Sequence, residues 1–106
     1  MTRINKLTGI ETNMFDTNEY FDGKVKSIAF KTETLPATVG VMAVGDYVFS
    51  TAEKEKMTVV SGAMDIQFAG SDEKQRFNAG ESFEVEANSS FNVSIATETA
   101  YLCLYG

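Results

Sequence analysis

Short runs of alternating apolar and polar residues fill most of the chain, and each ends at a turn signal. The clearest run is 63–69, A-M-D-I-Q-F-A, with Met64, Ile66 and Phe68 on one side and Asp65 and Gln67 on the other. Alternation of that kind is the period of a strand with one buried face. Residues 82–86 place Phe83 and Val85 inward, and residues 91–96 place Phe91, Val93 and Ile95 inward. Further strands are predicted over 24–31, 39–44, 47–51, 57–61, 74–77 and 100–105. Asp22-Gly23, Gly45-Asp46, Gly70-Ser71-Asp72 and Asn78-Ala79-Gly80 supply turns between them. Pro36, the single proline, falls in a predicted loop over 32–38. Gly40, inside the second strand, predicts a bulge or a close approach of two backbones.

Two readings of 24–31 differ in where Lys26 goes. Ile28 and Phe30 inward would bring Lys26 to the mouth of a barrel. Val25, Ser27 and Ala29 inward would leave it in water, which is simpler for a lysine. Residues 1–17 show no sustained period and read as an N-terminal extension, either a mobile arm or a segment packed on a partner subunit. The domain is expected over 18–106. About eight to ten short strands, with no helix of ordinary length, predict an all-β single domain, a small barrel or jelly roll. Closure of such a sheet would remove exposed strand edges.

Composition narrows the function. The chain has 106 residues, enough for one domain, and 43% of them are apolar, as in ordinary globular proteins. A net charge of −6 disfavours nucleic acid as a partner and disfavours anionic membrane surfaces. The one cysteine, Cys103, lies between Leu102 and Leu104, reads as a buried core residue and fits a reducing compartment. No stretch resembles a signal peptide or could span a bilayer as a helix, so a cytoplasmic protein is expected. The glycosylation sequons at Asn88 and Asn92 then read as chance matches. The chain contains no histidine, which excludes His-based acid/base catalysis, Ser-His-Asp triads and His-ligated metal.

The stretch 45–62, G-D-Y-V-F-S-T-A-E-K-E-K-M-T-V-V-S-G, reads as two strands around a short acidic turn. Glu55 is followed by six residues and then Gly62. This spacing resembles the end of the first motif of the cupin superfamily, in which two preceding histidines join the glutamate as metal ligands. Phe49 and Thr51 stand in the places of those histidines. Gly80 opens the spacing of the second cupin motif, with Glu86, Asn88 and Phe91 at its proline, glycine and histidine positions. Asn88 suits the glycine position because asparagine tolerates the left-handed conformation. The frame thus resembles a cupin with its metal ligands replaced.

N-E-Y-F-D-G-K-V-K-S-I at 18–28, V-G-V-M-A-V-G-D-Y-V-F-S-T-A-E-K-E-K-M-T-V-V-S-G-A at 39–63 and Y-L-C-L-Y at 101–105 resemble a narrower family. They are similar to the small cupin-fold pyrimidine/purine nucleoside phosphorylases. The chain departs from that pattern in its N-terminal extension, in lacking Pro-Gly near Glu86 and Ala87, and in carrying Leu104 where arginine is expected. The resemblance implies phosphorolysis of pyrimidine and purine nucleosides to free base and ribose 1-phosphate. It implies inorganic phosphate as co-substrate, no metal or other cofactor, and broad nucleoside specificity.

In the cupin register Tyr47, Phe49 and Thr51 face a cavity, Glu55 follows, and Phe91 meets them from the second motif. Tyr47, Phe49 and Phe91 could sandwich a base, since every base has a π-face. Ser50 and Thr51 could bond ribose or phosphate. Glu53 or Glu55 could accept from ribose hydroxyls or stabilise positive charge on the sugar ring. Tyr101 is a further substrate-binding candidate, and Lys26 and Arg76 are candidates for phosphate. Plain readings stand beside these. Phe49, Phe91, Tyr47 and Tyr101 could be ordinary core or rim residues, and Ser50 and Glu53 fit a capping box. Residues 53–56 fit a solvated charge run, and Met42, Met57 and Met64 read as packing. A non-catalytic cupin-like module that binds a nucleoside or sugar is the alternative function. A homodimer is expected from the fold.

Overall fold

The computed structural model describes residues 15–106 in full, and for residues 2–4 and 11–13 the backbone strands only. Those two strands, β1 (Thr2–Ile4) and β2 (Glu11–Asn13), pair antiparallel with each other. The extension read over 1–17, and its packing on a partner, lie for the most part outside the described residues.

Ten more strands follow: β3 (Thr17–Tyr20), β4 (Val25–Lys31), β5 (Pro36–Met42), β6 (Gly45–Ser50), β7 (Glu55–Ser61), β8 (Ala63–Phe68), β9 (Gln75–Asn78), β10 (Ser82–Val85), β11 (Ser90–Ile95) and β12 (Thr99–Tyr105). They form a six-stranded sheet, ordered β10-β7-β12-β5-β4-β3, and a four-stranded sheet, ordered β6-β11-β8-β9. Every pairing is antiparallel. Among the described residues there is no helix long and apolar enough to cross a membrane. The all-β expectation holds, as two facing sheets rather than one closed barrel. Edges therefore remain, and three of them are strands of only four residues, β3, β9 and β10. Short edges offer little backbone for unwanted pairing.

Several boundaries differ from the expectation: β3 lies outside the predicted strands, and β7 begins at Glu55 rather than Met57. Pro36 opens β5 instead of sitting in a loop, as a proline can at the first residue of a strand. The tight turn before it is closed by the Thr32 hydroxyl, which accepts from the Leu35 N–H at 2.9 Å. Gly45 and Asp46, expected as a turn, open β6. In β4, Val25 and Ser27 are buried and Lys26 is exposed, so the solvated reading of that lysine is the one observed.

One side of the interior is filled by large side chains. Phe83 of β10 lies 4.7 Å from Phe77, 5.9 Å from Phe68 and 6.0 Å from Phe91, measured between ring centroids. Val59, Met64, Ile66 and Val93 complete this region at 0–1% exposure. The fully buried Thr99 has its hydroxyl 2.7 Å from the Thr97 carbonyl, and it accepts from the Ala63 N–H at 3.2 Å. Gly62 makes this closure possible. Its φ is +90°, and a Cβ there would collide with the Thr99 side chain. Asn88 has φ 56°, the left-handed conformation expected at its motif position.

The other side carries more small residues. Ser27, Ala29, Thr38 and Gly40 share the inward positions of β4 and β5 with the fully buried Val25 and Met42. Ser27, Gly40 and Tyr101 stand in one row across β4, β5 and β12. A Cβ on Gly40 would lie 2.6 Å from the Tyr101 hydroxyl and 2.7 Å from the Lys26 carbonyl. Gly40 is thus the close approach its position in a strand predicted. It lets the Tyr101 ring, which lines a cavity, approach β5 closely.

Candidate active site

The cavity has a volume of about 390 Å³ and opens to solvent. Its two walls differ because they come from different sheets. Phe49 and Phe91 of the four-stranded sheet form an aromatic wall. Tyr20, Ser27, Tyr101 and Tyr105 of the six-stranded sheet form a wall of hydroxyls. Met42 and Met57 line it between them, and Ser50, Ala52, Glu53 and Glu55 enter from the end of β6 and the start of β7.

Phe49 and Phe91 are cross-strand partners whose rings stack directly, with centroids 5.7 Å apart and planes at 26°. No slot for a base exists between them. A base can use only the cavity side of this stack, with Phe49 the less buried ring.

Glu55 is the carboxylate set deepest. Burial raises its pKa, the Cys103 hydrogen bond pulls it back, and the charge of Glu53 adds to the rise. The Cys103 thiol donates to the Glu55 Oε1 at 3.5 Å. Burial pushes that thiol up to about 12, with the Glu55 charge adding to it. Burial likewise pushes Tyr101 up to about 12, against a hydrogen bond with Ser27. Tyr105 is raised further by burial, against a hydrogen bond with Thr38 whose hydroxyl lies 2.9 Å away. At neutral pH both phenols therefore keep their protons and can donate to an oxygen ligand.

The structure brings Phe49, Ser50, Glu53, Glu55, Phe91 and Tyr101 together around this one cavity. It places the other candidates elsewhere. Tyr47 is buried beside Phe49, but its hydroxyl donates to the Ala43 carbonyl at 2.7 Å and does not line the cavity. Thr51 donates to the Glu86 carbonyl and accepts from the Ser89 N–H at 3.0 Å, tying the β6–β7 connection to the β10–β11 loop. Lys26 sits on the outer face of β4, paired with Glu19 at 3.4 Å. Arg76 on β9 holds Asp65 through two bonds, at 2.9 and 3.0 Å, away from the cavity. Leu104 alternates with the inward Cys103 and Tyr105, so it too faces outward. An arginine at 104 would point away from the cavity of its own chain.

Tyr20, Ser27, Met42, Ala52, Met57 and Tyr105 line the cavity without having been singled out as site residues. Two carried a signal. Ser27 is inward in the simpler reading of 24–31, and Tyr105 shares the face of Tyr101 by strand alternation. Among the described residues, no three His, Cys, Asp or Glu side chains converge as a metal site would require.

The family model of the pyrimidine/purine nucleoside phosphorylases matches residues 15–105. A pyrimidine/purine nucleoside phosphorylase of Alcanivorax borkumensis is 62% identical over 93 residues, which is 88% of this chain and 99% of that one. A protein of unknown function from Vibrio parahaemolyticus has the same fold at TM-score 0.85 and 42% identity, covering 89% of this chain and 100% of the other. An RmlC-like cupin from Shewanella frigidimarina, at TM-score 0.68 and 19% identity, covers 87% of this chain and 83% of its own, and speaks for a cupin-like fold alone. The chain is a member of the pyrimidine/purine nucleoside phosphorylase family, with a cupin-like fold of two facing sheets.

Proposed function

We propose that the cavity carries out phosphorolysis of pyrimidine and purine nucleosides, without metal. A phosphate oxygen forms a bond to the ribose C1′, the glycosidic C–N bond breaks, and its electron pair leaves with the base, which takes up a proton. The products are free base and ribose 1-phosphate. The observation that carries this reading is the pairing of an apolar ring face with a wall of hydroxyls and a carboxylate in one cavity. A nucleoside has the same division, a flat base joined to a sugar rich in hydroxyls. The base would lie against Phe49, whose face asks for no particular base, in keeping with broad specificity. The ribose would lie toward Glu55, whose carboxylate can oppose the positive charge that develops on the sugar ring. The protonated Tyr101 and Tyr105, with Ser27 and Ser50, are the donors on hand for phosphate.

The test is release of base from uridine and adenosine by the pure protein, with and without inorganic phosphate. Release that needs phosphate, and falls about a hundredfold in kcat for Glu55→Gln, is the expected result. No phosphate-dependent release with either nucleoside would overturn the reading.

One observation favours the alternative of a non-catalytic nucleoside- or sugar-binding module. Among the described residues, no lysine or arginine lines the cavity. Uridine binding that is unaffected by phosphate, with no turnover, is what that alternative predicts. The proposal further includes a cytoplasmic homodimer. Val39 and Val41 on the outer face of β5 are 41% and 51% exposed, surfaces that a second copy would cover. Sedimentation equilibrium tests the dimer.

A further inference from the structure

The turn between β3 and β4 carries the most unusual backbone in the domain. Phe21, Asp22 and Gly23 follow one another with φ of 54°, 58° and 82°. Glycine adopts such values freely, whereas a phenylalanine there is a genuine outlier. Conformations of this kind persist only where the surroundings over-determine them, and they gather at ligand sites. The surroundings here are specific. The Phe21 ring crosses to the other sheet and packs 4.9 Å from Tyr47 and 5.5 Å from Phe49, between centroids. The Lys24 N–H donates to the Phe21 carbonyl at 3.2 Å, and the Ala43 N–H donates to the Lys24 carbonyl at 2.8 Å.

The residue before this turn is Tyr20, the last of the edge strand β3. Tyr20 lines the cavity yet stays 47% exposed. Its hydroxyl has no hydrogen bond within the described residues, in contrast with the engaged hydroxyls of Tyr47 and Tyr105. The turn therefore sends two successive aromatic rings to different ends. Phe21 clamps the mouth to β6 beside Phe49, and this clamp fixes Tyr20 as the outermost part of the hydroxyl wall.

We propose that Tyr20 is a specificity-determining residue that contacts the base, held in place by the left-handed Phe21–Gly23 turn. Its ring face offers a second surface to a flat base resting on Phe49. Its free hydroxyl can both donate and accept, so it can meet a carbonyl oxygen, a ring nitrogen or an exocyclic amine. One side chain thereby serves pyrimidines and purines alike. This assignment rests on the nucleoside reading of the cavity.

The experiment measures kcat and KM for uridine and adenosine, together with calorimetric binding of each nucleoside without phosphate, for wild type, Tyr20→Ala, Tyr20→Phe and Phe21→Ala. Tyr20→Ala is expected to weaken binding and raise KM roughly tenfold for both nucleosides while kcat changes little. Tyr20→Phe keeps the ring and loses the hydroxyl. It is expected to alter the ratio of uridine to adenosine KM more than either kcat. Phe21→Ala is expected to raise KM in the same direction as Tyr20→Ala. Thermal melts of the variants separate a folding defect from a binding one, and Tyr20, half exposed at an edge, should leave the melt near wild type. Wild-type binding and KM in Tyr20→Ala, with an active wild-type enzyme, would overturn the Tyr20 assignment alone. An absence of nucleoside binding by the wild type itself would overturn both the assignment and the nucleoside reading.

Discussion

The two halves of the interior are built from the same two sheets and the same alternation, yet one is solid and the other hollow. Where β7 and β10 face β8 and β9, the inward residues are Met57, Val59, Phe83 and Val85 against Met64, Ile66, Phe68 and Phe77. Where β4 and β5 face β6, they are Val25, Ser27, Ala29, Thr38, Gly40 and Met42 against Tyr47 and Phe49, so small residues stand at four of the six positions on β4 and β5. Large side chains from both sheets interdigitate to ordinary packing density, while large facing small leaves space. The cavity opens beside Ser27, where β4 and β5 carry small side chains. Stability and substrate contact are consequently separable here: the solid half should govern the first and the hollow half the second.

Substitutions should divide along that line, and the strongest test is in the solid half. Phe83→Ala removes a ring that touches three others and should cost about 3–5 kcal/mol in urea unfolding. The fraction that remains folded should keep the wild-type KM for uridine. A KM shift as large as the stability loss would erase the division.

Gly40→Ala should act in the hollow half. The new methyl meets the Tyr101 hydroxyl and the Lys26 backbone carbonyl, and only the tyrosine is free to move. A loss of about 1–3 kcal/mol is expected, with the Tyr101 ring displaced into the cavity and a raised KM. A crystal structure of the variant checks the displacement.

A smaller effect should appear in the dependence of stability on pH. Burial raises the Glu55 pKa, so the folded chain holds that proton more tightly than the unfolded one. The resulting stabilisation is fully present below the unfolded value, about 4.3, and is lost as pH rises through the raised folded value. Glu55→Gln should therefore melt above wild type at pH 7, and its advantage should shrink as pH falls toward 4. Thermal melts across that range measure it. An advantage independent of pH would mean that Glu55 is not desolvated.

The smallest expected effect is at Lys26. Its pair with Glu19 is exposed on the outer face, so Lys26→Ala should change stability by less than about 1 kcal/mol. Phosphate-dependent activity should be unaffected. A large loss of activity would bring this lysine back as a phosphate ligand, through a second copy of the chain.

The solid half was easier to read from sequence than the hollow one. Met64, Ile66, Phe68, Phe83, Val85, Val93 and Ile95 announce their inward face by alternation, because apolar bulk is what alternation detects. On β4 and β5 the cavity is lined by Ser27 and Met42, a serine that carries no such signal and a methionine that reads only as packing. Gly40 was legible as a close approach, but not the tyrosine that approaches it. The motif spacing placed Phe49 and Glu55 at the cavity. It could not show that Tyr47 and Thr51 make their hydrogen bonds to main-chain groups, since those partners, Ala43, Glu86 and Ser89, come from turns and a distant loop. Tyr20 was missed because it stands one residue before a turn whose left-handed phenylalanine no residue preference foretells.

Strand β12 carries two alphabets interleaved. Its odd positions, Thr99, Tyr101, Cys103 and Tyr105, run from the closed core to the cavity, while Ala100, Leu102 and Leu104 belong to the outer surface. A change at an even position rewrites how the molecule meets its surroundings and leaves the pocket's inward roster unchanged. A shift of one residue in register would exchange the two, sending the tyrosines out and the leucines in. The strand is held against that slip by neighbours on both sides, six residue pairs with β5 and six with β7. Surface and site can drift independently on this strand as long as that double hold persists.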